Sequence, residues 1–186
     1  MVTASQVNIA NASLIRGWMS EQELTWLANV ATRCNVIVEF GSYCGRSARV
    51  LADNTDGIVY AVDPWNGDYP GRFVDAMAEI NTFVMPEFVK NLKDHINAKK
   101  VIPVRTWSEC FELPTGVSAD FVFIDGDHRY LEVKKDIMKA KSLLRPGGML
   151  AGHDYGHYGF MEVNKAVDEL LGKIEVEDTI WWTEKF

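Results

Sequence analysis

The residues of this 186-residue chain that could do chemistry gather just after short apolar runs. Val36-Ile37-Val38 leads into Glu39-Phe40-Gly41-Ser42-Tyr43-Cys44-Gly45-Arg46-Ser47. Glycines at 41 and 45 allow a tight turn and let a ligand approach the backbone. A helix beginning there would offer unpaired N–H groups, although a purely structural turn uses the same residues. The spacing is no dinucleotide fingerprint, because Tyr43 stands where a second glycine belongs, and no Gly-Lys-Ser/Thr follows to make a P-loop. Asp63 closes the run Ile58–Val62. An acidic residue at that point can accept both ribose hydroxyls of a nucleoside, while a turn or helix-cap aspartate is the structural alternative. Glu39, inside an apolar run, must find a hydrogen-bond partner. Asp125, Asp127 and His128 crowd one turn, and His153-Asp154 follows the next run. Carboxylates converging there repel or share a proton unless a cation offsets them, and a histidine beside them titrates near neutrality.

These groups need elements to position them. Val36–Phe40, Ile58–Val62, Val101–Val104, Phe121–Ile124 and Met149–Ala151 are short and mostly apolar, as expected for strands buried on both faces. Helical patterns lie between them. Val133, Ile137, Ala140 and Leu144 share one face while Lys134, Lys135, Lys139 and Lys141 take the others, with Pro146-Gly147-Gly148 as the expected stop. Val163, Val167, Leu170 and Leu171 repeat the device before Gly172. Ser20-x-x-Glu23 has capping-box spacing and predicts an N-terminal helix over 20–32, with Leu24, Leu27, Val30 and Ala31 inward. Ile174 to Thr183 alternates about Glu177-Asp178 and reads as a strand pair. The expected fold is α/β: a doubly wound, mostly parallel, seven-stranded Rossmann-like sheet with one antiparallel strand near the C-terminus, over residues 1–186 as a single domain.

Nineteen Lys and Arg against 26 Asp and Glu give a net charge of −7, spread along the chain, so neither nucleic acid nor an anionic membrane is an expected partner. Apolar residues at 47% and charged residues at 24% are those of a globular domain. No apolar run reaches the ~18–20 residues of a membrane span. Three cysteines without Cys-x-x-Cys spacing, and a start at Met1-Val2-Thr3-Ala4 without signal-peptide character, point to a cytoplasmic protein.

Four segments in order and spacing resemble the class I S-adenosylmethionine-dependent methyltransferases. They are Glu39-x-Gly41-x-x-x-Gly45-x-Ser47, Val62-Asp63-Pro64-Trp65, Ile124-Asp125-Gly126-Asp127-His128-x-Tyr130, and Leu144-x-Pro146-Gly147-Gly148-x-x-x-Gly152-His153-Asp154-Tyr155. The similarity runs from Gly17 onward and is to the small O-methyltransferase-like branch that includes macrolide-sugar methyltransferases and, more distantly, catechol O-methyltransferase. The resemblance implies that Glu39, Gly41, Ser42, Tyr43, Gly45 and Ser47 lie under the methionine half of S-adenosylmethionine. It places Asp63 on the ribose, Trp65 near the sugar or adenine, and Trp107 and Ser108 at the adenine pocket, with Trp107 standing where the family has an acidic residue. Asp125, His153 and Asp154 match the positions that bind a divalent ion such as Mg²⁺ or Mn²⁺ in catechol O-methyltransferase, with His153 replacing a carboxylate.

Methyl transfer from a sulfonium needs an aligned acceptor and a base, so His128 is the expected base with Asp125 beside it, while His157, in the glycine-flanked segment 155–159, is a candidate to cap the acceptor. The acceptor is a small molecule with a hydroxyl. Residues 64–97, with Trp65, Tyr69, Phe73, Met77, Phe83, Met85 and Phe88, are either a lid over it or ordinary core. Two other readings stay open: a cofactor-binding module without catalysis, and an NAD-dependent oxidoreductase, which Tyr43 disfavours. Trp181 and Trp182 point to opposite faces of a strand, so a homodimer covering that edge is one expectation and cover by the chain's own helices the other.

Overall fold

The computed structural model describes residues 7–65 and 84–184. Strands β1 (Val36–Phe40), β2 (Ile58–Val62), β3 (Val101–Val104), β4 (Ala119–Ile124), β5 (Leu144–Gly152), β6 (Glu175–Glu177) and β7 (Ile180–Thr183) form one sheet in the order β3-β2-β1-β4-β5-β7-β6. β1 to β5 pair in parallel, and β7 runs antiparallel to both β5 and β6. The chain leaves β1 toward β2 and β3, then returns to place β4 on the other side of β1. The order therefore reverses between β1 and β4, which opens a crevice at their carboxyl ends.

The side-chain period of two sorts each strand between two cores. Ile37, Val59, Ala61, Phe121 and Phe123 face helices α1 (Ala10–Ser13), α2 (Glu21–Ala31), α3 (Arg46–Asn54) and α4 (Val84–Asn91), with the short α5 (Lys93–Asn97) following. Val38, Phe40, Val122, Ile124 and Leu150 face α6 (Tyr130–Leu143) and α7 (Met161–Leu171). Among the described residues, no helix is long and apolar enough to cross a membrane.

α2 begins at the expected capping box: the Ser20 hydroxyl accepts from Glu23 N–H and the Glu23 carboxylate accepts from Ser20 N–H. Leu24, Leu27, Val30 and Ala31 are all buried. α6 stops earlier than expected, at Leu143, and Pro146-Gly147-Gly148 lies inside β5. The residue before a proline is pushed toward extended backbone, so Arg145 lies in β5, which already begins at Leu144, and does not continue the helix. Gly172 does end α7, at φ 67.

Trp181 is buried in the α6–α7 core, while Trp182 packs on the other face, 5.0 Å from the Trp26 ring. Trp181 is thus covered by the chain's own helices and Trp182 is partly buried. Much of the expected 64–97 lid lies outside the described residues. In its described part Phe88 and Leu92 are fully buried and Ile96 packs against them as ordinary core.

Candidate functional site

The crevice between β1 and β4 brings the glycine turn against Asp125. Gly41 has φ 87, and a Cβ built on it would lie 2.1 Å from the Asp125 carbonyl oxygen, so only glycine lets these two strand ends meet. Asp125 N–H donates to the Phe40 carbonyl at 2.8 Å. Beyond glycine, positive φ occurs among the described residues at Tyr43, Trp65 and Asp154, all at strand ends of this crevice, and at Lys99 and Asp178 in remote turns. Side-chain-bearing residues in this region are held there by surrounding structure, a feature that clusters at functional sites.

Glu39 is fully buried and receives a hydrogen bond from the Ser42 hydroxyl, with Ser47 also beside it. Its Oε1 carries no hydrogen bond among the described residues. Burial pushes its pKa up to about 7 against the pull of the two serines. An orphaned buried carboxylate oxygen under a glycine turn is suited to a cationic group and unsuited to a pyrophosphate.

Asp63 is buried and already accepts from the N–H groups of Tyr43 at 2.9 Å and Trp65 at 2.7 Å. It ties the glycine turn to the exit from β2, and burial raises its pKa. Trp65 is inward too: its indole N–H donates to the Tyr43 carbonyl at 2.9 Å and its ring lies 4.9 Å from Phe88. Ser108 donates its hydroxyl to the buried Asp136, a residue the sequence reading passed over, while Trp107 beside it stays half exposed. Arg46, also passed over, spans from the first turn of α3 to the carbonyls of Ser13, Ile15 and Met19 and so fastens the 13–19 segment beside the turn.

The second half of the site is a run of carboxylates and imidazoles. His128 Nε2 lies 2.7 Å from Asp154 Oδ2, and its ring stacks on Phe160 at 4.0 Å. Asp154 sits at φ 65, just past the end of β5. Leaving the strand there breaks the alternation that would send His153 and Asp154 apart, and both side chains converge. His153 Nδ1 lies 3.2 Å from Asp154 Oδ2 and 3.4 Å from Asp125 Oδ1, while its Nε2 lies 3.1 Å from Glu23 Oε1. Both ring nitrogens of His153 therefore face carboxylates. Burial opposes its charge, but Asp125, Asp154 and Glu23 outweigh that and hold its pKa far above the ordinary value. Burial likewise works against ionised Asp154, yet the hydrogen bonds from His128 and His153 keep its pKa below the ordinary carboxylate range. His128 is pulled down by burial and carried above its ordinary value by Asp154, with Asp125 and Asp127 adding to it.

Asp125, His128 and Asp154 each offer one ligand atom within 4.8 Å of the others, a set able to hold a divalent ion. His153, the imidazole expected from the sequence, faces Asp125 and Asp154 through Nδ1 and Glu23 through Nε2. His157 stacks on Phe160 at 4.9 Å, and His95 lies 2.7 Å from Asp53, a partly buried pair that joins α5 to the end of α3.

The buried groups fix a pH dependence of stability. Glu39 and Asp136 are both raised by burial to about 7, from ordinary values of 4.5 and 3.8. Unfolding releases their protons above those ordinary values, so their contribution is lost as pH rises toward 7. His128 and His153, raised above 6.5, lose theirs in the same direction at higher pH. The ligand-free protein is expected to be roughly 2–4 kcal/mol less stable at pH 8 than at pH 6, a fall of several degrees in Tm. Thermal denaturation at constant ionic strength measures this, and a flat or rising Tm would contradict the assignment.

A doubly wound sheet with an acid-rich ligand crevice at its switch point is the architecture these observations define. Residues 38–155 match the family described as "Methyltransferase domain", and the chain belongs to that family. Solved structures share its fold. An O-methyltransferase from Bacillus cereus in complex with SAH is 16% identical with a TM-score of 0.65, over 95% of this chain and 87% of that one. The O-methyltransferase TomG from Streptomyces achromogenes, involved in tomaymycin synthesis and solved with SAM, is 17% identical with a TM-score of 0.62, over 91% and 82%. A SAM-dependent O-methyltransferase from Thermotoga maritima is 17% identical with a TM-score of 0.64, over 91% and 67%. No curated protein matches the sequence.

Proposed function

We propose that the protein transfers the methyl group of S-adenosylmethionine to a hydroxyl of a small molecule, with His128 receiving the proton. The observation that carries this reading is the contact between the two halves of the site, Gly41 against Asp125. It sets the glycine turn against the end of β4 from which Asp125 and, three residues on, the Asp154-bound His128 follow, and this supports the reading. The methionine half of the cofactor would lie along Glu39, Gly41, Ser42, Tyr43, Gly45 and Ser47, with the unpartnered Glu39 oxygen toward its positive charge. Asp63 and Trp65 shape the nucleoside side by holding the turn, and Trp107 and Ser108 border the adenine.

In the transfer, a lone pair of the acceptor oxygen forms the new C–O bond while the C–S bond breaks and its electrons return to sulfur, leaving S-adenosylhomocysteine. The acceptor's proton passes to His128. Its Nε2 hydrogen bond to Asp154 selects the tautomer with Nδ1 free to accept, and Asp154 stabilises the imidazolium that results. His153, held as a positive charge against Asp125 and Asp154, offsets the repulsion of that pair from within the chain.

A second reading has its own observation: the Asp125, His128 and Asp154 ligand set fits a divalent ion, its imidazole suiting Mn²⁺ or a later transition ion as well as Mg²⁺. Such an ion, when bound, would lower the pKa of an acceptor hydroxyl. Methyl transfer to a panel of phenolic and sugar hydroxyls, before and after exhaustive chelation with elemental analysis, separates the two. Transfer that survives chelation supports the histidine–aspartate pair, and loss restored by Mn²⁺ supports the ion. No transfer to any hydroxyl by protein that binds S-adenosylhomocysteine would favour a non-catalytic module. Unpaired Cys34, Cys44 and Cys110 suit a reducing, cytoplasmic setting.

A further inference from the structure

We infer that Glu23, on α2 and outside the family's motifs, is a positioning residue for the proton-accepting pair, acting through His153; this rests on the role proposed above for His128. The capping box accounts for only one of its two oxygens. Oε2 accepts from Ser20 N–H at 2.8 Å, as an N-terminal helix cap requires. Oε1 is turned the other way, into the sheet, where Thr179 donates to it at 2.6 Å and His153 Nε2 lies 3.1 Å off. Only 3% of Glu23 is exposed, so the carboxylate is committed to these partners.

From there the contacts run without a break to the reacting histidine. His153 Nδ1 and His128 Nε2 share a single atom, Asp154 Oδ2, at 3.2 and 2.7 Å. The position of that oxygen decides how the His128 ring sits on Phe160 and where its free nitrogen points. Asp154, on a left-handed backbone just past β5, has no strand register to fix its side chain. Its side chain is fixed by the two imidazoles instead, and one of these is fixed by Glu23. α2 thereby does more than cover the sheet: its first turn sets the geometry of a site at the carboxyl end of β5. Groups that orient a reacting side chain at one remove are commonly worth roughly 10–100-fold in activity.

The test is the imidazole NMR of the full-length protein bound to S-adenosylhomocysteine, comparing wild type with Glu23→Gln. The amide keeps an oxygen for the Ser20 cap but changes the group facing His153. The expected result is that the ring nitrogen signals of both His153 and His128 move, although residue 23 does not touch His128. Ser20→Ala is the control, because it weakens the same helix cap and leaves Oε1 in place; it should leave the His128 signals where they are. If Glu23→Gln does not fold, Thr179→Val removes one donor to Oε1 and should move the same signals less far. On any hydroxyl the wild type methylates, Glu23→Gln should lower kcat roughly 10–100-fold and leave KM for S-adenosylmethionine within about twofold. Unmoved His128 signals in a folded Glu23 variant, or equal shifts in Ser20→Ala, would overturn the inference. Failure of the proposed function looks different: ring signals coupled as described, but no hydroxyl methylated by the wild type.

Discussion

His128→Ala is expected to lower turnover by ~10²–10⁴ while leaving S-adenosylhomocysteine affinity within about twofold, because general-base catalysis contributes that much and binds no cofactor. Of the two imidazoles in the cluster, His128 is the one with a ring nitrogen not facing a carboxylate. His153 has carboxylates on both nitrogens, whereas His128 commits only Nε2, to Asp154, and keeps more than a third of its side chain exposed. A base must be deprotonated to act, and Asp154, Asp125 and Asp127 raise its pKa above 6.5 despite burial. The wild-type rate should therefore climb with pH through a value above 6.5, and the variant should lose that limb. Steady-state kinetics across pH checks both parts. A loss below about tenfold, or an unchanged pH limb, would remove His128 as the base and leave it an orienting group.

The second large effect is expected at Gly41→Ala. A methyl group there meets the Asp125 carbonyl at 2.1 Å and must also adopt φ 87. Neither strand end can retreat, since each is held by the ladder and by the Asp125 N–H bond to Phe40. The variant should lose ~3 kcal/mol or more of stability and most of its affinity for S-adenosylhomocysteine, because overpacking against backbone adds to the conformational penalty. Gly116→Ala is the comparison: φ is 81 there, but nothing lies within 4 Å of the added carbon. It should cost only ~1 kcal/mol and no affinity. Urea denaturation and calorimetry of both variants measure the difference, and equal losses would show that contact with Asp125 is unimportant.

Much of the framework was readable from local pattern. β1, β2 and β3 occupy the apolar runs residue for residue, because parallel strands covered by helices read as nearly continuous apolar segments. The capping box was legible because its two residues are three apart. What failed locally was the end of α6, where Pro146-Gly147-Gly148 looked like a stop but belongs to β5. The site was legible as a set of residue types and less so as a geometry. Glu39, Gly41, Asp125, His128 and Asp154 do converge, since strand ends in a parallel sheet lie together. The direction of His153 was not readable, because it depends on a left-handed backbone at Asp154 and on a carboxylate 130 residues away. That Asp63 and Trp65 also hold the glycine turn was not readable, because it depends on two backbone N–H groups and a ring contact set by the fold. Glu23 was seen only as a cap, and nothing near it in sequence signals its second partner.

The proposed cofactor site lies at the carboxyl ends of β1 and β4. A groove of about 450 Å³ lies elsewhere, along α2, lined among others by Ile9, Glu21, Trp26, Asn29, Arg33 and Glu177. Its lining holds no histidine and none of the carboxyl ends of the parallel strands. The direct measurement is a backbone amide NMR titration with S-adenosylhomocysteine. Resonances of residues 41–47, 63–65, 105–108 and 125–128 should shift together and saturate, while those around Ile9, Trp26 and Arg33 stay in place. Saturable shifts confined to the α2 groove, or none at millimolar ligand, would contradict the placement of the site.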